Sequence, residues 1–200
     1  MASITSIKQQ VKNPERASIF LDGKYSFSLS LNELVAEKLK IGQEIDEAEH
    51  KRLKKMSDDG KLRARALEWV ISRPRSLREF RDYMFRKKAD PDLSGRLQAE
   101  FLERGYLDEQ KFTDWLIDVR RRGGKSERAI KAELARKGIP RDIVSDTMDD
   151  TGNELARLKE LVVKKQKIAR YKADPQKLMA YLARQGFSYD DIKTVLSELS

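Results

Sequence analysis

RAIKAELARKGIPRDIV (residues 128–144) and QKLMAYLARQGFSYDDI (residues 176–192) superpose when the chain is shifted by 48 positions. Ile130 falls on Leu178, Leu134 on Leu182, Gly138 on Gly186 and Val144 on Ile192, so an apolar stripe and the glycine after it recur together. A backward shift of 50 brings Phe80 and Met84 onto Ile130 and Leu134. Self-similarity at such a period marks a repeat array, whose units bury their apolar faces against one another. The stripes have helical spacing throughout. The first unit carries Leu62, Ala66, Trp69 and Val70, then Leu77, Phe80 and Met84, then Leu93, Leu97 and Phe101. The second carries Phe112, Trp115, Leu116 and Val119, then Ile130 and Leu134, then Val144, Thr147 and Met148. The third carries Leu155, Leu158, Leu161 and Val162, then Leu178 and Leu182, then Ile192, Val195, Leu196 and Leu199. Three helices per unit, nine in all, are predicted.

Helix-ending residues stand between the stripes. Gly138 and Gly186 sit where a helix end needs left-handed backbone, and Ile139 and Phe187 can then fold back on Leu134 and Leu182. Gly105-Tyr106 repeats the stop, with Tyr106 reaching Phe101. Ser76 with Glu79 and Ser188 with Asp191 have capping-box spacing; Asp108 and Ser126 read as caps, and Asp174-Pro175 as a cap followed by proline in the first turn. The first unit departs from the pattern, because Lys87-Lys88-Ala89-Asp90-Pro91 stands where the glycine turn belongs.

Ahead of the array, ASIFLDGKYSFSLSL (residues 17–31) reads as a hairpin turning at Asp22-Gly23 and pairing Phe20 with Tyr25. Asn32 is the expected cap of a short helix carrying Leu34, Val35 and Leu39 and ending at Gly42. A more polar helix is expected from Asp46, which has capping-box spacing with Glu49. The expected fold is mainly all-α: an elongated tandem array of three three-helix repeats behind a small β-hairpin plus helix extension. The expected divisions are 1–60 for the extension and 61–108, 109–151 and 152–200 for the repeats.

With 39% hydrophobic and 38% charged residues, the chain can bury cores only by keeping a large charged surface. The net charge is +9, and residues 1–60 carry none of it, with 10 basic against 10 acidic side chains. The surplus lies in the array, where it favours nucleic acid, an acidic membrane or an acidic protein surface as partner. Cysteine is absent, which excludes disulfides, thiolate metal sites and cysteine nucleophiles. MASITSIKQQ at the start lacks the apolar core of a secretory leader, and no window nears membrane-spanning length, so a soluble cytoplasmic protein is expected.

No constellation points to a reaction, and no cofactor or metal is expected. His50, the lone histidine, lies in the polar stretch EAEHKRLKK and reads as a solvated side chain. The acidic pairs Asp58-Asp59, Asp149-Asp150 and Asp190-Asp191 read as residents of caps and turns, which leaves a metal-dependent nuclease little support. Gly123-Gly124-Lys125-Ser126 shares its last residues with a phosphate-binding loop but lacks the upstream glycine and follows a helix, so a helix break and a new cap are expected. Trp69 and Trp115 lie within apolar stripes and read as core residues.

Basic residues cluster once per repeat: Arg73, Arg75, Arg78 and Arg81, then Arg86, Lys87 and Lys88, in the first; Arg120, Arg121, Arg122, Lys125 and Arg128 in the second; Lys164, Lys165, Lys167, Arg170 and Lys172 in the third. Helix C-termini attract cations for local reasons, yet recurrence in all three units favours one shared face following a phosphate backbone or a filament groove. Arg121 and Arg122 are expected to bear charge reversal without unfolding.

In SRPRSLREF (72–80), ERGYLDEQKF (103–112), RRRGGKSERAIKAEL (120–134), KGI (137–139) and RQGFSYDDI (184–192), the chain resembles the RecX family of bacterial regulators of the RecA recombinase. DGKYSFSLS and LKIGQEID in the front segment resemble the N-terminal extension of its longer members, so the resemblance covers residues 15–200. It implies three consecutive three-helix repeats and a modulator, mostly an inhibitor, that binds RecA and its filament on single-stranded DNA. Strand exchange, ATP hydrolysis and co-protease activity in recombinational repair and the SOS response would be its targets. The resemblance supplies no catalytic residues. The other reading is a helical DNA-binding protein acting with a different partner. A monomer is expected, because the array buries its own stripes.

Overall fold

A computed structural model describes residues 1–148 and 154–199. The backbone divides into two compact units, Met1–Trp69 with Ala89–Leu97, and Val70–Lys88 with Gln98–Ser200. Asp149-Asp150 and the expected boundary between 151 and 152 lie outside the described residues.

The first unit holds an antiparallel sheet of four strands, β1 (Ala2–Gln9), β2 (Arg16–Leu21), β3 (Lys24–Ser30) and β4 (Glu44–Ile45), in the order β3-β2-β1-β4. The expected hairpin is β2–β3: Asp22 and Gly23 take φ of +48° and +80°, and Phe20 pairs with Tyr25. Beyond that pair the register slips, and Ile19 faces Phe27. The slip leaves Ser26 unpaired, so Tyr25 is exposed while Phe27 and Leu29 turn inward with Ile19. Strands β1 and β4 were not expected. β1 carries its own register shift between Ile4 and Ser6, which hides its alternation, and the Thr5 hydroxyl there accepts from Gly23 N–H at 2.9 Å. The core of the unit is Ile4, Ile19, Leu21, Phe27, Leu29, Leu39, Ile45 and Leu53.

Helix α1 (Leu31–Ala36) is capped by Ser30 instead of Asn32 and ends well before Gly42. The Ser30 hydroxyl accepts from Glu33 N–H, and the Glu33 carboxylate accepts from Ser30 N–H, so the capping box begins two residues early. The polar helix expected at Asp46 and the first stripe of the array prove to be one element, α2 (Glu47–Ile71), which runs without a break through Gly60. Asp58 and Asp59 consequently lie within a helix, not at a turn. His50 is half-buried, not solvated: its Nε2 is 2.7 Å from Ser26 Oγ and its ring lies beside Phe27.

The remaining helices fall where the stripes place them: α3 (Leu77–Arg86), α4 (Pro91–Glu103), α5 (Glu109–Arg122), α6 (Glu127–Arg136), α7 (Arg141–Met148), α8 (Glu154–Gln166), α10 (Pro175–Gln185) and α11 (Tyr189–Glu198). A further turn of helix, α9 (Ala169–Lys172), precedes α10. Phe112, Leu116, Ile117, Ile130, Leu134, Ile139 and Met148 form one core of the second unit; Leu158, Val162, Tyr171, Leu178, Leu182, Phe187, Ile192 and Val195 form another. The caps at Ser76, Asp108, Ser126, Asp174 and Ser188 all accept a first-turn N–H.

The helix ends explain the glycines. After α6, Ile139 N–H reaches Leu134 C=O and Gly138 N–H reaches Ala135 C=O, a complete Schellman end with Gly138 at φ +78°. After α5, Lys125 N–H reaches Arg120 C=O and Gly124 N–H reaches Arg121 C=O, with Gly124 in the same backbone state. Lys88 holds that state after α3 at φ +55°, so the departure in the first repeat is a lysine accepting a glycine's conformation.

Consecutive repeats meet head to tail. The first turn of α6 rests on the last turn of α10: Ser126 N–H donates to Gln185 C=O at 3.1 Å and Arg128 Nε to Gly186 C=O at 3.2 Å. A Cβ on Gly186 would lie 2.5 Å from Ser126 Oγ and 2.7 Å from Ala129 Cβ, whereas one on Gly138 would meet only the Arg78 stem at 3.6 Å. Gly138→Ala is therefore expected to cost about 1–2 kcal/mol, the strain of left-handed backbone alone. Gly186→Ala adds the opening of the junction and is expected to cost more. Urea denaturation of both variants measures the difference, and equal losses would contradict the close docking.

Candidate functional site

The basic residues of the three clusters occupy distinct settings, all within the second unit. Arg120 clamps Glu133 with two hydrogen bonds, of 2.7 and 2.6 Å. Arg121 clamps Glu127 in the same way, at 3.0 and 3.1 Å, and Arg157 Nη2 joins the same carboxylate. Glu127 is buried, its side chain 7% exposed, and its own N–H donates to Glu154 Oε1. A carboxylate so far from water is stabilised only by such partners. Reversing Arg121 would set a second carboxylate against Glu127, so the expectation that it bears reversal does not hold. Arg122 is 71% exposed and pairs with Asp118 one turn back, so no buried carboxylate among the described residues opposes its reversal.

In the first cluster, Arg73 donates to Glu79 at 2.9 and 3.2 Å and lies over the Trp115 ring, 4.7 Å from its centroid. Trp115 is therefore a half-buried residue at the core edge, with one face beneath a guanidinium worth about 0.5–1 kcal/mol. Lys137, from the end of α6, reaches the same Glu79 at 2.7 Å. This pairing occupies the carboxylate that the Ser76–Glu79 spacing had assigned to a reciprocal cap; only the Ser76 half of that box forms. Arg75 donates to Ser72 Oγ and Arg81 to Gln98 Oε1, while Arg78 is exposed.

Lys125 and Arg128 cap the end of α10. Lys125 Nζ reaches Arg184 C=O at 3.4 Å, beside the Arg128 contact with Gly186 C=O. Cations at a helix C-terminus answer its partial negative charge. Lys164, Lys167, Arg170 and Lys172 are exposed, Arg170 lying over Tyr171, whereas the half-buried Lys165 lies over Tyr181.

Two open clefts gather part of this set. One, of about 330 Å³, is lined by Arg121, Arg122, Lys125, Arg157 and Lys164 over Leu161 and Phe187, with Glu160 as its acid. The other, lined by Val163, Tyr171, Pro175, Leu178 and Leu196, bears Lys167 and Lys172. Arg73 and Arg75 line a third with Ile71 and Tyr106, while Arg78, Arg81 and Arg120 line none of the three. Arg157 was missed in the sequence: it stands between Glu154 and Glu160 on an amphipathic helix, has no counterpart among the repeated clusters, and reads as an ordinary surface charge. Among the described residues, no group of three or more histidine, aspartate or glutamate side chains is placed to hold a metal ion, and no helix is long and apolar enough to cross a membrane.

Second helices seated end to end, α3 on α6 and α6 on α10, with a basic cleft at the latter seam, place the chain among helical-repeat proteins. Residues 2–46 match the regulatory protein RecX N-terminal domain, residues 108–148 the second three-helix domain of RecX, and residues 153–196 the third. The regulatory protein RecX of Bacillus subtilis is 30% identical over 205 residues, spanning 100% of this chain and 78% of the relative. That of Bacillus velezensis is 32% identical, spanning 99% and 78%. The chain belongs to the RecX family of regulatory proteins. Its fold matches a crystal structure of regulatory protein RecX with a TM-score of 0.65 at 20% identity, over 98% of this chain and 100% of that one. RecX from Lactobacillus salivarius gives 0.56 at 22% identity, over 71% and 96%.

Burial raises the Glu79 carboxyl, but hydrogen bonds from Arg73 and Lys137 outweigh it and hold the group below its ordinary value of 4.5. A depressed carboxylate stabilises the fold fully above its unfolded value and loses that contribution as the pH falls through the folded one. Glu79→Gln is thus expected to lower stability by about 1–3 kcal/mol near neutral pH. The gap from the unsubstituted protein should narrow on acidification to about pH 3.5. Urea denaturation at both pH values reads the effect, and a gap independent of pH would refute the ion-pair account.

Proposed function

We propose that this chain regulates the RecA recombinase, binding RecA and its filament on single-stranded DNA and mostly suppressing strand exchange, ATP hydrolysis and co-protease activity. Family membership along the whole chain carries this reading, because its relatives match both the front segment and the helical array. The protein acts by binding, in the cytoplasm, as a monomer and without a cofactor. Residues 1–60 form its extension, and 61–108, 109–151 and 152–200 its three repeats. Among the exposed members of the basic clusters, Arg78, Arg122, Lys164, Lys167 and Lys172 are well placed to meet phosphate or an acidic partner surface.

A stand-alone DNA-binding protein with another partner is the second reading. It draws on the same net charge but is weakened by the commitment of Arg73, Arg120 and Arg121 to internal carboxylates. Such charges contribute little to counterion release on DNA. A filament regulator should lower the ATP hydrolysis of RecA on single-stranded DNA at substoichiometric amounts and hold naked DNA weakly at near-physiological salt. Hydrolysis and strand exchange measured over a salt series test this. No change in either would sink the regulatory reading.

A further inference from the structure

The cleft over Leu161 and Phe187 is built around an imbalance of charge. Two guanidiniums, Arg121 and Arg157, share one buried carboxylate, Glu127, whose own N–H holds the Glu154 carboxylate beside them. Arg157 Nη1 is buried and, among the described residues, has no hydrogen-bond partner. Native proteins rarely leave such a donor unmet, and the guanidinium that carries it lines the cleft. Lys164 is exposed at the same cleft, and Lys125 is held there by the end of α10. Asp118 offsets Arg122, and Glu160 is the acid of the lining, so the basic side chains keep the majority.

The arrangement is pre-organised. Glu127 fixes both arginines from one side, and Arg157 is only 22% exposed, so little side-chain freedom is lost on binding. Gly124 lets the floor close: a Cβ there would stand 3.1 Å from Leu161, whose side chain packs against the bare glycine. An apolar floor beside clustered cations suits a ligand that carries a compact anion and an uncharged ring or sugar together. A chain of carboxylates offers the charge without the apolar portion.

We propose that this cleft binds a phosphate of a single-stranded nucleic-acid backbone, with Arg157 and Lys164 as the contacting residues and Arg121 as the positioning one. The choice of a single strand rests on the regulatory reading; the anion site itself does not.

The experiment is fluorescence anisotropy of a labelled oligothymidylate with the full chain over a salt series. Lys164→Gln removes an exposed cation and leaves the Glu127 pairs untouched. It is expected to weaken binding roughly 3- to 10-fold at low salt and to reduce the slope of log affinity against log salt by about 0.7, the loss of one single-strand phosphate contact. Arg157→Gln should do the same where its thermal melt shows a folded chain, and Arg157→Lys should restore part of the affinity. Lys193→Gln, an equal loss of charge outside the cleft, should leave the slope unchanged. Lys164→Gln binding with the original affinity and slope would overturn the proposal. So would a polyglutamate peptide that displaces the oligonucleotide at equal charge concentration, which would assign the cleft to acidic protein. Failure of the unsubstituted protein to affect RecA would remove the regulatory reading while leaving this oligonucleotide result to stand or fall by itself.

Discussion

The seating of one helix's first turn on another's last turn is the contact on which the array depends. At the start of α6, four backbone N–H groups lack partners within the helix; at the end of α10, four carbonyls do. Bringing the two together lets Ser126 N–H meet Gln185 C=O while Lys125 and Arg128 reach neighbouring carbonyls. The opposed partial charges of the two helix ends favour the same seating. The α3–α6 seam uses the same ends but a different chemistry, with Glu79 at the start of α3 taking Lys137 from the end of α6. A repeat period survives at both seams because each needs a cap at one end and a left-handed residue at the other.

This constraint explains why the two glycines of the opening alignment are unequal. Gly138 serves the backbone, since a side chain there meets only ordinary contact. Gly186 serves the backbone and the seam, since its missing Cβ is the space that Ser126 and Ala129 occupy. Lys88 shows the converse. Where no helix end demands the space, the left-handed residue can keep a side chain and tolerate the strain.

Much of this was legible in the sequence because helices and their ends are local. Stripes, caps and stops lie within one or two turns of each other, so residues 77–199 could be parsed almost element by element. The sheet was less legible for an equally physical reason. Its register depends on irregularities at Thr5 and Ser26, each of which flips the inward face partway along a strand and breaks the alternation that would reveal it. The partners of charged side chains were least legible. Arg121 and Arg122 are adjacent and chemically identical, yet one secures a buried glutamate and the other faces water, a difference set by which side of α5 packs against α6. Arg157 shares that glutamate from 30 positions away, beyond the reach of any local pattern.

A net charge of +9 does not say which cations are free to meet a polyanion. Arg73, Arg120 and Arg121 are turned toward Glu79, Glu133 and Glu127, and their charges are largely answered inside the protein. Affinity that rests on neutralising phosphates grows with each cation free to reach one, so these three arginines add little to it. On the proposed regulatory reading, a phosphate contact gains weight when it is added to a protein–protein one. The internal ion pairs hold the seams of the array: Lys137 meets Glu79 across one, and Arg157 meets Glu127 across the other.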